Sequence, residues 1–139
     1  MGEKTEKRME IKPILVDTNV LIHALAGKEP CASFLREAIK QKKLVFSAIV
    51  IAEFLSGATE EEEKILLGLT QKLPVLLIDL PVAQIAAFYR KKYLRSKKKL
   101  MLPDCLIAAT CKVYRAVLFT LDKKDYPIKE IEASDQFQK

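Results

Sequence analysis

Ile14-Leu15-Val16-Asp17-Thr18-Asn19-Val20-Leu21-Ile22 decides the fold. Ile14–Asp17 reads as a short apolar strand. Asp17 or Thr18 then caps a helix that runs to about Ala26 and stops at Gly27. The same unit recurs: strand Leu44–Phe46, then Ser47 as N-cap of a helix Ala48–Leu55 ended by Gly57. Pro74–Ile78 is a third strand, and Asp79-Leu80-Pro81 leads into a long helix from about Val82 to Arg95. Between these, Glu29-Pro30 starts a helix through about Lys42. Thr59 with Glu62 makes a capping box for a helix Glu60–Lys72. Pro103 suits the first turn of a helix Asp104–Tyr114, followed by strand Val117–Thr120 and a candidate short fifth strand, Ile128–Ile131. Strands apolar on both faces and separated by helices imply a parallel sheet covered on both sides. The expectation is a three-layer α/β/α domain with a central parallel sheet of four or five short strands.

Four acids stand beside or inside apolar runs: Asp17 after Ile14-Leu15-Val16, Glu53 within Ala48–Leu55, Asp104 opening Leu102–Ala109, and Asp122 after Val117–Leu121. An unpaired carboxylate taken out of water costs several kcal/mol, so such groups are paired, protonated or bound to a metal. Each has a simpler reading except one. Asp17 suits a helix N-cap, Asp104 complements a helix dipole, and Asp122 suits a turn. Glu53 falls mid-helix among apolar neighbours and has no such excuse. In parallel sheets ligands bind outside the carboxyl ends of the strands, where these four can meet. Asp79 reads as a turn or cap residue and Glu60–Glu63 as a solvated helix start.

Bulk properties narrow the classes. The 139 residues, half of them hydrophobic, suffice for one core. The expected organisation is a charged, flexible tail over residues 1–12 and a single domain over 13–139. No apolar run reaches the roughly 18 residues of a membrane span. The N-terminus lacks the apolar stretch of a signal peptide, so the expected location is the cytoplasm. Cys31, Cys105 and Cys111 make an odd count without paired-ligand spacing, and His23 is the only histidine, which argues against zinc. Hard carboxylate oxygens without His or Cys favour Mg²⁺ or Mn²⁺.

The words around the four acids resemble those of PIN-domain nucleases. Val16-Asp17-Thr18-Asn19-Val20-Leu21-Ile22 is similar to the first motif of that family and Ser47–Phe54 to its glutamate-bearing helix. Leu102–Ala109 resembles the third motif, and Thr120-Leu121-Asp122-Lys123-Lys124-Asp125-Tyr126 the fourth. All four come in family order from about Ile14 to Ile131, and the small size is most like VapC-type toxins. The resemblance implies a metal-dependent endoribonuclease in which Asp17, Glu53, Asp104 and Asp122 form the metal-binding and catalytic set. Asp17 and Asp104 are then the direct ligands. Glu53 ligates directly or through water, or orients the nucleophile, and Asp122 can share its role with Asp125. Thr18, Asn19 and Thr120 are candidates to orient the carboxylates, with helix capping an equal reading of Thr18 and Asn19. The resemblance also implies a cognate antitoxin and a homodimer. A stand-alone RNA-processing nuclease and an idle RNA-binding module are the alternatives.

The net charge of +6 and an isoelectric point near 9.2 tilt the chain toward a polyanion. Seven of the ten residues from Arg90 to Lys99 are Lys or Arg. The run precedes Leu100–Asp104 directly, so Arg95, Lys97, Lys98 and Lys99 are candidates to hold an RNA backbone beside the acids. The plainer reading is a solvated helix end.

Overall fold

The computed structural model describes residues 11–95 and 100–137. Five parallel strands lie in the order β3-β2-β1-β4-β5. They are β1 Ile14–Val16, β2 Leu44–Ser47, β3 Val75–Leu76, β4 Val117–Phe119 and β5 Ala133–Ser134. Six α-helices cover the sheet in a three-layer α/β/α arrangement. They are α1 Thr18–Leu25, α2 Cys31–Lys40, α3 Ala48–Ser56, α4 Glu60–Thr70, α5 Leu80–Lys92 and α6 Leu102–Tyr114. None is long and apolar enough to cross a membrane.

β1 is the centre of the sheet. Ile14 registers with Leu44 on one side and Val117 on the other, and Leu15 with Val45 and Leu118. Strands paired on both edges and covered on both faces must be apolar throughout. Leu15, Val16, Leu44, Phe46 and Leu118 are accordingly all but fully buried. Burying such a side chain contributes about 1.5–3 kcal/mol relative to leaving it in water. All three cysteines are unpaired and buried, and burial pushes the Cys111 thiol up to about 12, as suits small core residues.

Local signals place the helices. Ser47 Oγ accepts from the Ile49 N–H at 3.2 Å and starts α3. Thr59 and Glu62 form the reciprocal capping box of α4. Asp79 Oδ1 accepts from the Val82 N–H at 3.1 Å and caps α5, the cap role expected of it. Its other oxygen accepts from the Tyr114 hydroxyl at 2.9 Å, tying the start of α5 to the end of α6.

Two strands differ from expectation. β3 pairs only over Val75–Leu76, because Pro74 lacks an N–H and the chain then leaves the sheet with Leu77 and Ile78 exposed. The fifth strand is Ala133–Ser134, not Ile128–Ile131. Ile128 is buried, but from a loop. The Leu118 and Thr120 N–H groups bond instead to the carbonyls of Glu132 and Ser134. Branched residues at 128–131 signalled burial, and burial does not require a ladder. Of the tail expected at 1–12, residues 1–10 lie outside the described residues.

Candidate active site

Three of the four acids meet. A polar cavity of about 180 Å³ is lined by Asp17, Glu53 and Asp104 together with Thr18, Asn19 and Tyr126. It sits past the carboxyl ends of β1 and β4. Asp17 follows Val16 directly, and its backbone N–H bonds to the Phe119 carbonyl at 3.1 Å. Glu53 comes from α3, which follows β2, and Asp104 from the first turn of α6. Each acid therefore arrives on a different element, and only the fold brings them together.

Asp17 is 7% exposed and is both a cap and a cavity wall. Its Oδ1 accepts from the Val20 N–H at 3.1 Å at the start of α1, and the Thr120 hydroxyl also bonds to it. Burial nevertheless pushes its carboxyl above the ordinary Asp range, and the charge of Asp125 adds to the shift. Burial also raises Asp104, followed by the charges of Glu53, Asp17 and Asp125. Both shifts have the same origin, negative charge crowded where water is scarce. Glu53 is held differently: its Oε1 accepts from the Thr18 hydroxyl at 2.5 Å. Thr18 thus bonds to Glu53, and Thr120 to Asp17.

Asp122 is not brought into this group. It is exposed, and its Oδ1 accepts from the Lys124 N–H at 2.9 Å, capping the 3₁₀ turn Lys123–Asp125. The turn carries the chain round so that Asp125, half buried, is the acid whose charge reaches Asp17 and Asp104. Two lining residues, Ile107 and Tyr126, went unassigned from sequence. Ile107 is one helical turn beyond Asp104 on the same face, a spacing that signals it. Tyr126 is the aromatic that follows Asp125, and burial raises its phenol, with the charges of Asp17 and Asp104 next in size.

Of the basic run, Arg95 is exposed at the end of α5. Lys92 is tied to Glu130 at 2.6 Å, and Arg90 is half buried with its Nη1 lacking a partner among the described residues. Lys97, Lys98 and Lys99 lie outside the described residues.

A divalent cation suits the donor set of this cavity, which is carboxylate, hydroxyl and amide oxygen with no imidazole or thiol. Among the described residues no cation pairs with Asp17, Glu53 or Asp104. No three His, Cys, Asp or Glu side chains among them are drawn tightly enough together to hold one ion. The acids share a cavity and a crowded negative charge that a bound cation would relieve.

The PIN domain family pattern matches residues 14–132. The chain belongs to the PIN-domain family. Ribonuclease VapC10 of Mycobacterium tuberculosis is 32% identical over 117 residues, covering 84% of this chain and 88% of that protein. The solved structure of DNA-bound VapBC from Salmonella typhimurium superposes with a TM-score of 0.76 at 21% identity, covering 89% of this chain and 98% of that one. A toxin-antitoxin complex from Klebsiella pneumoniae gives 0.63 at 27% identity, over 85% and 94% of the two chains. This PIN domain thus sits among VapC-type relatives.

Proposed function

We propose that this PIN domain is a metal-dependent endoribonuclease, the toxin of a toxin–antitoxin pair. One observation carries the reading: acids from three separate elements, two of them raised by burial and mutual charge, line one polar cavity in a chain 32% identical to Ribonuclease VapC10. Asp17 and Asp104 would hold Mg²⁺ or Mn²⁺, with Glu53 and Asp125 contributing charge and Asp122 acting through the turn that positions Asp125. When bound, the ion supplies positive charge to the phosphate oxygens and makes a coordinated water more acidic.

The protein's own part is positioning. Thr120 and the Val20 N–H fix the Asp17 carboxylate, and Thr18 fixes Glu53 so that it can accept the proton of an attacking water. Hydrolysis forms a bond from that water oxygen to phosphorus and breaks one bond from phosphorus to a ribose oxygen, which leaves with a proton. Arg95, together with Lys97, Lys98 and Lys99, is placed in the chain to hold the flanking backbone.

The antitoxin partner is supported by the Klebsiella toxin-antitoxin complex, and a homodimer in the cytoplasm completes the proposal. The test is expression of the chain alone beside its Asp104→Asn variant, with cellular RNA 5′ ends profiled in both. Growth arrest and new 5′ ends that vanish in the variant are expected. Cleavage without arrest would favour a stand-alone processing enzyme. Tight RNA binding with no cleavage in Mg²⁺ or Mn²⁺ would favour an idle module.

A further inference from the structure

The cavity is rich in acceptors, and so is the substrate proposed for it. A phosphodiester offers only oxygens that accept, as do the carboxylates of Asp17, Glu53 and Asp104. Thr18 could donate, but its hydroxyl is already committed to Glu53. Among the side chains lining the cavity, that leaves the Asn19 amide and the Tyr126 hydroxyl. Asn19 is exposed, whereas Tyr126 is 6% exposed and packs into the core directly after the Lys123–Asp125 turn. The charges of Asp17, Asp104 and Glu53 all reach the Tyr126 hydroxyl. No hydrogen bond among the described residues occupies it. Tyr126 is one of the residues that line the cavity. A phenylalanine ring would fill the same core space. The hydroxyl is therefore not needed for packing, and it belongs to a residue lining the cavity proposed to receive the phosphate.

We infer that the Tyr126 hydroxyl donates a hydrogen bond to a non-bridging oxygen of the scissile phosphate, an inference that rests on the ribonuclease reading above. The phenol is protonated at neutral pH and neutral in charge, so it donates without competing with a cation for the carboxylates. A donor fixed by core packing and partly shielded from water acts more strongly on developing phosphate charge than one in solvent.

Tyr126→Phe tests it, because the ring and its packing are kept; the melting temperature should match that of the wild type. Cleavage should slow by roughly 10- to 100-fold in kcat, the span of one hydrogen bond to a charged group, with KM little changed. Substrates with sulfur in place of each non-bridging oxygen give a readout that a merely structural role would not move. Sulfur accepts hydrogen bonds poorly, so one diastereomer should be slow with the wild type and lose that penalty in the variant. A readout independent of turnover is 3-fluorotyrosine at position 126. Its fluorine resonance should shift when an oligoribonucleotide with a non-hydrolysable phosphonate linkage is added. A wild-type rate in Tyr126→Phe, an equal slowing of oxygen and both sulfur substrates, or no fluorine shift overturns the inference alone. A wild type that cleaves no RNA overturns the ribonuclease reading and this with it.

Discussion

Two cavities of this domain differ in size and in chemistry. The larger, about 680 Å³, lies between α2 and the sheet and is mainly apolar. Phe34, Phe119 and Phe137 stack across it, with the Phe34 and Phe119 ring centroids 4.4 Å apart and Phe137 edge-on to Phe34 at 5.2 Å. The smaller, about 180 Å³, holds three carboxylates. Size and apolarity point to the first, and chemistry to the second. In the larger cavity the packing of Phe34, Phe119 and Phe137 favours the fold. In the acidic one burial and like charge oppose it, and such opposition persists where function needs it.

That contrast can be broken most sharply at Asp104. Asp104→Asn should reduce metal-dependent RNA cleavage by roughly 1000-fold or more while raising the melting temperature, because it removes a crowded charge from a working site. Loss of both activity and stability would place Asp104 with the structural acids. Next come the paired acids of the last turn. Asp125→Asn should cost about 10- to 100-fold in kcat, the range for groups that support a metal site, and Asp122→Asn only a few-fold. The reverse order, read from the same cleavage assay, would show that the turn opens when RNA binds. Thr18→Val should slow cleavage by about 10-fold by freeing Glu53, with little change in KM.

The aromatic cavity should answer in the opposite sense. Phe34→Ala, at a half-buried site, should cost about 2 kcal/mol by urea unfolding yet leave kcat per folded molecule unchanged. A selective loss of kcat would tie the two cavities together.

The smallest effect expected is one of pH, in the metal-free protein. Burial holds Asp17 and Asp104 above the ordinary carboxylate range, so the folded state binds their protons more tightly than the unfolded one. Their favourable contribution is therefore full below the unfolded value of about 3.9 and is lost as pH rises through the raised folded values. The gain in melting temperature of Asp17→Asn over wild type should be largest at neutral pH and shrink toward zero on acidification. A gain that grows on acidification would mean these carboxylates are stabilised as anions.

Much of this contrast was legible in the sequence, for a reason that also sets its limit. Asp17, Glu53 and Asp104 stand out because each is a carboxylate beside an apolar run, and the cost of burying charge makes that pattern improbable without a purpose. Asp122 also follows an apolar run and Asp125 does not, yet it is the charge of Asp125 that reaches Asp17 and Asp104. Asp122 and Asp125 bracket two lysines, and which one turns inward depends on the 3₁₀ turn that Asp122 itself caps. The aromatic cavity was invisible, since Phe34, Phe119 and Phe137 belong to three distant segments whose stacking only the tertiary structure sets. The fifth strand was misplaced because Ile128 and Ala133 differ in pairing, which hydrophobicity does not report. Tyr126 is legible as an aromatic, but not as a wall of the cavity that three acids share.

The register of the central strand also sets a clock. Ile14 pairs with Leu44 early in the chain, but its other edge waits for Val117. Asp17 needs Thr120, from the end of that same late strand, to hold its carboxylate. A chain emerging from the ribosome can form its first βα units, yet it has neither Asp104 nor the support for Asp17 until the segment through Thr120 has emerged. If the cavity is what it is proposed to be, a growing chain cannot attack the RNA around it. Synthesis itself would delay cleavage until those later segments have joined the first βα units.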